Sequence, residues 1–498
     1  MTNEAITRRG FMKAAAAATA ALGAAAAPVL LDETDQAFAD SAPKREMHKT
    51  ACHGCTNCCP VCVYTEDGVV VKIEGDPDGP LNKGGVCLKC LSQIQTVYSP
   101  RHVLHPMKRV GDRGQNQWEA ISWDEATDLA GEQIAAAVEK YGPYSYWSAR
   151  GGGGAYIEWE TWGLDYTFGG CNSLASGACQ CAMPRDFVST TSVGFNCCVD
   201  MDNVDRWVGV VDNAELDGVR RDDTERVFVL WGSQPHSSKA AHGGHGLVDA
   251  RSNLGVKSIV VDPYMTAEAA KADVWLPVRP GSDCALMLSW IRYIIDQKAY
   301  DEPFVKHWTN LPFLINPDTR LAYRAEEIWP DYVNPADDPN GVYDTPAYVC
   351  FDERTNSIQP FPFTAPEDSP VDPAIFATAT VNGKEAKTAG QIYWEEAQPW
   401  TLEAAGETCW LQPEKIKEAV DLYISADFGG ISNGVFSDHQ ENSSTAPLGA
   451  LAIDSLLGFI ETPLSAFQNH GPASLAADRP TIRTGVFSTS FERYGLGW

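Results

Sequence analysis

Apolar and polar residues alternate on both sides of Glu66-Asp67-Gly68, between Val61 and Asp76, which predicts a β-hairpin closed by an Asp-Gly turn. The period changes at Ser122-Trp123-Asp124-Glu125, a capping-box sequence. After it Ala126, Leu129, Ala130, Ile134 and Val138 recur at helical spacing up to Gly142, predicting a helix packed by one face. From Tyr144 the chain turns to short apolar runs divided by glycine loops. Strands are predicted over 145–148, 226–231, 258–261 and 274–278, with a buried helix over 285–295. They close on Arg150-Gly151, Gly232-Ser233-Gln234-Pro235, Asp262-Pro263 and Pro280-Gly281-Ser282-Asp283. Strands alternating with helices, each ending at a Gly or Asp turn, predict an α/β fold with a doubly wound sheet and ligand-holding loops at the strand C-termini. Residues 309–400 are rich in Pro, Asp, Asn and Thr, with short extended pieces such as 347–352, and predict a loop-rich surface insertion. Order returns with Pro413 at a helix start running through Ile416 to Ile424, and 448–459 predicts a second apolar helix.

Composition narrows the class. A chain of 498 residues that is 44% hydrophobic and 21% charged is globular and large enough for several domains. Its net charge of −28 argues against a nucleic-acid partner, because the phosphate backbone would repel it. The N-terminus reads Thr7-Arg8-Arg9-Gly10-Phe11-Met12-Lys13, followed by an alanine-rich run from Ala14 to Leu31 and then Ala37-Phe38-Ala39. A twin arginine, a weakly apolar stretch and an A-x-A site predict a twin-arginine export signal over 1–39. That route carries proteins already folded, as a cofactor loaded in the cytoplasm requires.

Of 15 cysteines, seven fall between Cys52 and Cys90 and three between Cys171 and Cys181, a clustering that suits metal ligation better than disulfides. Cys52, Cys55 and Cys59 lie within eight residues, and Cys87 follows 28 positions later. Three thiols on a tight loop and a fourth from a distant one are the donors a cubic iron–sulfur cluster needs. The register Cys55, Cys58, Cys62 has the same spacing and stays open at this point, as does a structural zinc site using Cys87-Leu88-Lys89-Cys90.

An ordered set of motifs resembles the molybdopterin oxidoreductases of the dimethyl sulfoxide reductase superfamily: the cysteine loop, Cys87-Leu88-Lys89, the run from Arg101 to Arg109, the run from Trp118 to Ala126, Val260-Val261-Asp262-Pro263, and Pro280-Gly281-Ser282-Asp283. The resemblance implies a [4Fe–4S] cluster on Cys52, Cys55, Cys59 and Cys87, with Lys89 between cluster and pterin. It implies molybdenum or tungsten bound by bis-molybdopterin guanine dinucleotide, whose nucleotide ends meet Gly232, Gln234, Asp262 and Asp283. The segment Gly177-Ala178-Cys179-Gln180 through Met183-Pro184 is similar to the family's metal-ligand segment and implies Cys179 as the ligand, with Cys181 the runner-up and Cys171 third. His242 is a candidate catalytic acid or base, and Tyr156, Glu158 and Trp159 are candidates for the substrate funnel.

The implied plan is a signal over 1–39, an iron–sulfur subdomain over 40–110, a molybdopterin-binding α/β core over 111–310, the insertion over 311–400 and a second, incomplete α/β region over 401–498. Nothing after Pro463 resembles the domain that grips the second pterin, so a truncated or split protein is expected. The implied function is an exported reductase fed through the cluster, resembling the catechol dehydroxylases in its cysteine-rich segment. Its expected partners are a small-molecule substrate, a membrane anchor and an electron-transfer iron–sulfur subunit. A lyase of the acetylene hydratase kind and a non-catalytic cofactor-binding fragment are the alternatives.

Overall fold

The computed structural model describes residues 44–55, 59–79, 82–150, 172–175, 184–185, 188, 191–192, 225–238, 240–334, 347–362 and 366–460. The predicted hairpin is the second half of a three-stranded antiparallel sheet: β1 (Arg45–Ala51), β2 (Pro60–Glu66) and β3 (Val69–Gly75), in that order. Asp67 and Gly68 take φ values of 49° and 81°, the left-handed pair that lets a two-residue turn follow the twist of the strands. The register pairs Ala51 with Pro60, so the cysteine loop is itself the β1–β2 connection. Two short helices, α1 (Leu88–Leu91) and α2 (Gln93–Val97), follow.

A small ribbon of β4 (Met107–Arg109) and β5 (Trp118–Ala120) leads into α3 (Trp123–Tyr141). Ser122 caps α3 by accepting from the Glu125 amide at 3.1 Å, while Glu125 turns its carboxylate to Lys108 Nζ, also at 3.1 Å. The expected burial is absent: none of the residues of α3 is buried. Periodicity fixes the helix and its apolar face, but the covering partner is a matter of tertiary placement. Next, β6 (Trp147–Arg150) pairs in parallel with β7 (Asn172–Ala175).

The principal sheet holds β8 (Arg226–Trp231), β9 (Lys257–Val261) and β10 (Val274–Leu276), and is completed by a strand far downstream. A short α4 (Pro235–Ser238) follows β8, and after a single π-helical turn over Ala240–Gly244 comes α5 (His245–Leu254), ended by Gly255 in the left-handed region. Asp283–Asp296 forms α6, and Glu302–Trp308 forms α7.

The insertion differs from expectation. It is built from β11 (Leu314–Ile315), β12 (Val349–Asp352), β13 (Ser357–Pro360), β14 (Thr378–Val381) and β15 (Lys384–Thr388), followed by α8 (Ala389–Ala397). The strands form a three-stranded sheet β11-β15-β14 and a β12-β13 hairpin. They have small cores of their own, one around Leu314, Val349 and Val381, another around Phe313, Cys350 and Phe361. Strands of two to five residues leave too few periods to read against turn-rich surroundings. Lys306 of α7 clasps this lobe, reaching Asp372 at 2.7 Å, Glu353 at 2.9 Å and Glu302 at 3.0 Å.

The closing elements are α9 (Leu402–Cys409), α10 (Pro413–Ile424), β16 (Phe428–Asn433) and α11 (Thr445–Leu456). β16 pairs in parallel with β8, so this part of the chain completes the core sheet instead of opening a second region. The order β10-β9-β8-β16 is all parallel, and both faces are covered. Val227, Val229 and Trp231 pack against α6, α10 and α11, while Phe228 and Leu230 pack against Leu247 and Ala250 of α5. Strands buried on both sides read as continuous apolar runs, which is why Val227 to Trp231 shows no alternation.

Candidate functional site

The cysteine loop is closed at its base by the Cys52 amide, which donates to the Cys59 carbonyl at 2.9 Å, one step beyond the last strand pair. Within it the Gly54 amide donates to Cys52 Sγ at 3.3 Å, a backbone donor already aimed at a thiolate. Cys87 enters as the extended residue before α1. Burial pushes the Cys59 thiol up to about 11, and the next causes are the thiolates of Cys55, Cys52 and Cys87. The fold therefore brings Cys52, Cys55, Cys59 and Cys87 into one neighbourhood. Cys62 of the other register is a buried residue on β2, paired across the ladders with Lys49 and Glu74, and Cys58 lies outside the described residues. Among the described residues no three His, Cys, Asp or Glu side chains converge on a single ion. Tetrahedral zinc would draw its sulfurs to roughly 3.8 Å from one another; a cluster spaces them wider.

Lys89 sits two residues past Cys87, on the face of α1 that meets the loop at Gly54. A Cβ added at Gly54 would stand 3.4 Å from Cys52 Sγ, 3.4 Å from Gln93 Nε2 and 3.6 Å from Lys89 Cβ, so the loop rests closely on α1 and α2. Lys89 Nζ lies 3.5 Å from the Ser238 carbonyl, at the end of α4 in the core. Beside this crossing a cavity of about 200 Å³ is lined by Asn82, Lys83, Gly85, Val86, Ala240, Ala241 and His245.

In the parallel sheet ordered β10-β9-β8-β16, later strands lie on both sides of β8, and in sheets with such a switch in strand order ligands bind in the crevice beyond the C-terminal ends of the strands that flank it. Gly232 (φ 59°) and Gly434 meet there. A Cβ on Gly434 would fall 1.9 Å from the Gly232 carbonyl oxygen, and one on Gly232 would fall 2.1 Å from Phe436 Cδ1. Only glycine lets the two strand ends approach this closely. Gln234 donates to Asp262 Oδ2 at 3.4 Å and to the Tyr264 hydroxyl at 2.6 Å, so Gly232, Gln234 and Asp262 share one rim. Burial raises the Asp262 carboxyl above its ordinary value, against the Tyr264 amide and Gln234, which favour its ionised form.

Asp283 stands apart from that rim, at the first turn of α6. It accepts from Trp231 Nε1 at 2.7 Å and is likewise raised by burial. Gln440 lies close enough to favour the ionised form of Asp283, yet Gln440 Nε2 and Asn433 Oδ1 are buried without hydrogen-bond partners. Unpaired polar atoms of this kind at a strand end suit a polar ligand.

Cys171, Cys179 and Cys181, together with Tyr156, Glu158 and Trp159, lie outside the described residues, as does the signal over 1–39. His242 falls in the Ala240–Gly244 turn, with its side chain outside the described set. Sequence reasoning passed over His236, whose amide and Nδ1 reach Glu268 Oε1 at 2.8 and 3.0 Å and so fix α4 beside the crevice. The partners are 32 residues apart, and no local pattern links them. It also passed over Asn433 and Gln440.

The profile described as "Molybdopterin oxidoreductase" matches residues 103–395, and that described as "Molybdopterin oxidoreductase Fe4S4 domain" matches residues 46–99. The chain belongs to the molybdopterin oxidoreductase family. It is 29% identical over 447 residues to a putative dimethyl sulfoxide reductase catalytic subunit of Halobacterium salinarum, covering 85% of this chain and 49% of that protein. It is 32% identical over 334 residues to the dopamine dehydroxylase of Eggerthella lenta, covering 64% of this chain and 30% of that protein. The solved structure of acetylene hydratase from Pelobacter acetylenicus superposes with a TM-score of 0.55 at 19% identity, covering 82% of this chain and 43% of that one. The chain thus spans half or less of the length of these relatives.

The family brings a molybdopterin cofactor and a Fe4S4 cluster. The residues present fit both: four thiols gathered on one loop and one helix start, and a glycine-floored crevice with buried polar atoms awaiting partners.

Proposed function

We propose that this molybdopterin oxidoreductase is exported by the twin-arginine route to the outer face of the cell membrane, where it reduces a small molecule by removing a hydroxyl group from a catechol. The observation that carries the electron path is Lys89: its Cβ stands beside the cysteine loop, and its ammonium reaches the Ser238 carbonyl at the end of α4. When bound, the cluster and the molybdopterin supply the electron-transfer and oxygen-atom chemistry. In this reading Cys52, Cys55, Cys59 and Cys87 hold the cluster, and the Lys89 charge offsets the negative charge added on reduction. Gly232 lets β8 end tightly against Phe436 and Gly434 at the rim of the nucleotide site, while Gln234, Asp262 and Asp283 accept from or donate to the nucleotide ends. Cys179 is the thiolate ligand of the metal, with Cys181 next in line, and His242 handles a proton.

Support for the catechol substrate is the dopamine dehydroxylase likeness, together with the cysteine-rich segment over 171–181. Relatives named as subunits, such as the Halobacterium protein and a sulfite dehydrogenase subunit of Allochromatium vinosum, support an electron-transfer partner. No helix among the described residues is long and apolar enough to cross a membrane.

The deciding experiment combines elemental analysis and pterin quantification with turnover of catechols, sulfoxides and sulfur oxyanions under a low-potential electron donor. Molybdenum or tungsten with pterin, and donor-dependent loss of a catechol hydroxyl, are expected. Iron without pterin would refute the enzyme, and turnover without a donor would refute the reductase. Cys179→Ala is expected to abolish turnover and leave the iron content intact.

A further inference from the structure

Residues 79–111 carry five cations, Lys83, Lys89, Arg101, Lys108 and Arg109, and no aspartate or glutamate, in a chain whose net charge is −28. A basic stretch in so acidic a chain is a surface with an electrostatic field of its own. Lys108 faces Glu125 at 3.1 Å, whereas the Arg109 guanidinium donates to the Gly111 carbonyl, also at 3.1 Å, which leaves its charge unneutralised. Between these cations, large apolar side chains are turned to solvent. Leu88 is 83% exposed, Leu104 72% and Val103 67%, and Leu91, Val97 and Tyr98 are 45–50% exposed. They lie on one continuous piece of structure: α1 and α2 meet at Ser92 and pack on β3, the Tyr98 hydroxyl accepts from the Val70 amide at 2.7 Å, and His102 Nδ1 lies 2.9 Å from the Val97 carbonyl. Scattered exposed leucines need no explanation. Apolar side chains gathered on one run of backbone, with cations around them, have the make-up of a protein interface, an apolar centre inside a charged rim.

We infer that this face is the docking surface for a small acidic protein that carries one electron. The inference rests on the cluster and electron-transfer readings above. Electron tunnelling weakens steeply with distance, so a donor must seat beside the cluster ligands, and Leu88 of this face directly follows Cys87. One electron leaves the carrier and enters at the cluster, and no atom is exchanged. The charges select the carrier's sign: five cations without an acid attract an acidic surface and oppose a basic one. They also steer it, because the strongly negative remainder of the chain repels the same carrier elsewhere. A phospholipid surface fits less well, since a membrane is broad and meets that negative charge together with the patch.

The test is stopped-flow reduction of the full, iron-loaded chain by reduced plant-type [2Fe–2S] ferredoxin, an acidic probe, and by dithionite, which needs no docking. One variant combines Arg101→Glu with Arg109→Glu and reverses the rim; the other, Leu104→Ser, removes apolar contact. Wild-type reduction by ferredoxin is expected to slow as salt is raised. The charge reversal should slow it about tenfold or more at low salt and flatten the salt dependence. Leu104→Ser should slow it about threefold at every salt concentration. Iron content and dithionite rates are expected to match the wild type in both variants. Unchanged ferredoxin rates in the variants would overturn the inference, and so would loss of iron, which would make these residues structural. Salt-dependent binding to phosphatidylglycerol vesicles that the charge reversal abolishes would assign the face to a membrane, and a dimer that Leu104→Ser dissociates would assign it to a second copy; either result overturns the carrier. A wild-type chain that dithionite itself cannot reduce would instead overturn the cluster reading beneath, and the docking surface with it.

Discussion

Asp454 is fully buried on α11, where it accepts from the Tyr423 hydroxyl at 2.6 Å and from the Ile431 amide at 3.2 Å, tying α10, α11 and β16 together. Burial pushes its carboxyl up to about 7 from 3.8, although both hydrogen bonds favour ionisation. Between those two values the folded chain holds a proton that the unfolded chain releases. The stability contributed is therefore complete below the unfolded pKa and is lost as the pH rises through the folded one. The whole span corresponds to about 4 kcal/mol, and the part between about pH 5 and pH 8 to about 3 kcal/mol. Asp454→Asn removes the charge and keeps the shape, but its amide nitrogen must face either the Tyr423 hydroxyl or the Ile431 amide. That mismatch costs about 1–2 kcal/mol at every pH. Urea denaturation followed by tryptophan fluorescence, run on both proteins across this range, should show the variant less stable at about pH 5 and gaining on the wild type by about 3 kcal/mol by about pH 8. Parallel pH profiles would refute a buried, titrating carboxyl at this joint.

Gly434→Ala places a methyl 1.9 Å from a backbone carbonyl that cannot rotate away, so the melting temperature should drop by the equivalent of about 3 kcal/mol, with weakened retention of pterin. Trp231→Phe leaves the buried Asp283 without its indole donor and should cost about 1–3 kcal/mol. Because burial already raises this carboxyl, the penalty is larger at about pH 8 than at about pH 5, as chemical denaturation at the two values would record. At Lys306 burial alone would lower the ammonium, but its three carboxylate bonds outweigh this and raise it. Lys306→Met should cost only about 1–2 kcal/mol, because those carboxylates are themselves partly exposed, and should speed proteolysis within the insertion.

What could be read from the chain was local. The strand over 226–231 and its glycine loop were legible because a strand buried on both faces is an unbroken apolar run. The Asp67-Gly68 turn was legible because few residues adopt its dihedral angles. A similar signal, Asn382-Gly383 with φ values of 49° and 77°, joins β14 to β15 and could have revealed the insertion as a sheet. The clustering and spacing of the cysteines pointed to metal ligation and the resemblance selected the register, but that the loop forms a hairpin connection depended on β1, whose residues are all exposed and give no periodic clue. The membership of β16 in the main sheet was invisible for another reason. Its partner is 202 residues away at Phe428 and Arg226, and no window on the sequence spans that distance.

The same distance orders events during synthesis. One wall of the crevice, at Gly232, leaves the ribosome long before Gly434, the residue that closes it, and the insertion lobe is made in between. Until the β8–β16 ladder zips, β8 is an open edge with its amides and carbonyls unpaired on that side. Such a long-range parallel pairing is slow, since the loop between its strands must be ordered first. The proposed nucleotide site is thus incomplete in every nascent chain that stops short of residue 434, and loading must follow the synthesis of β16.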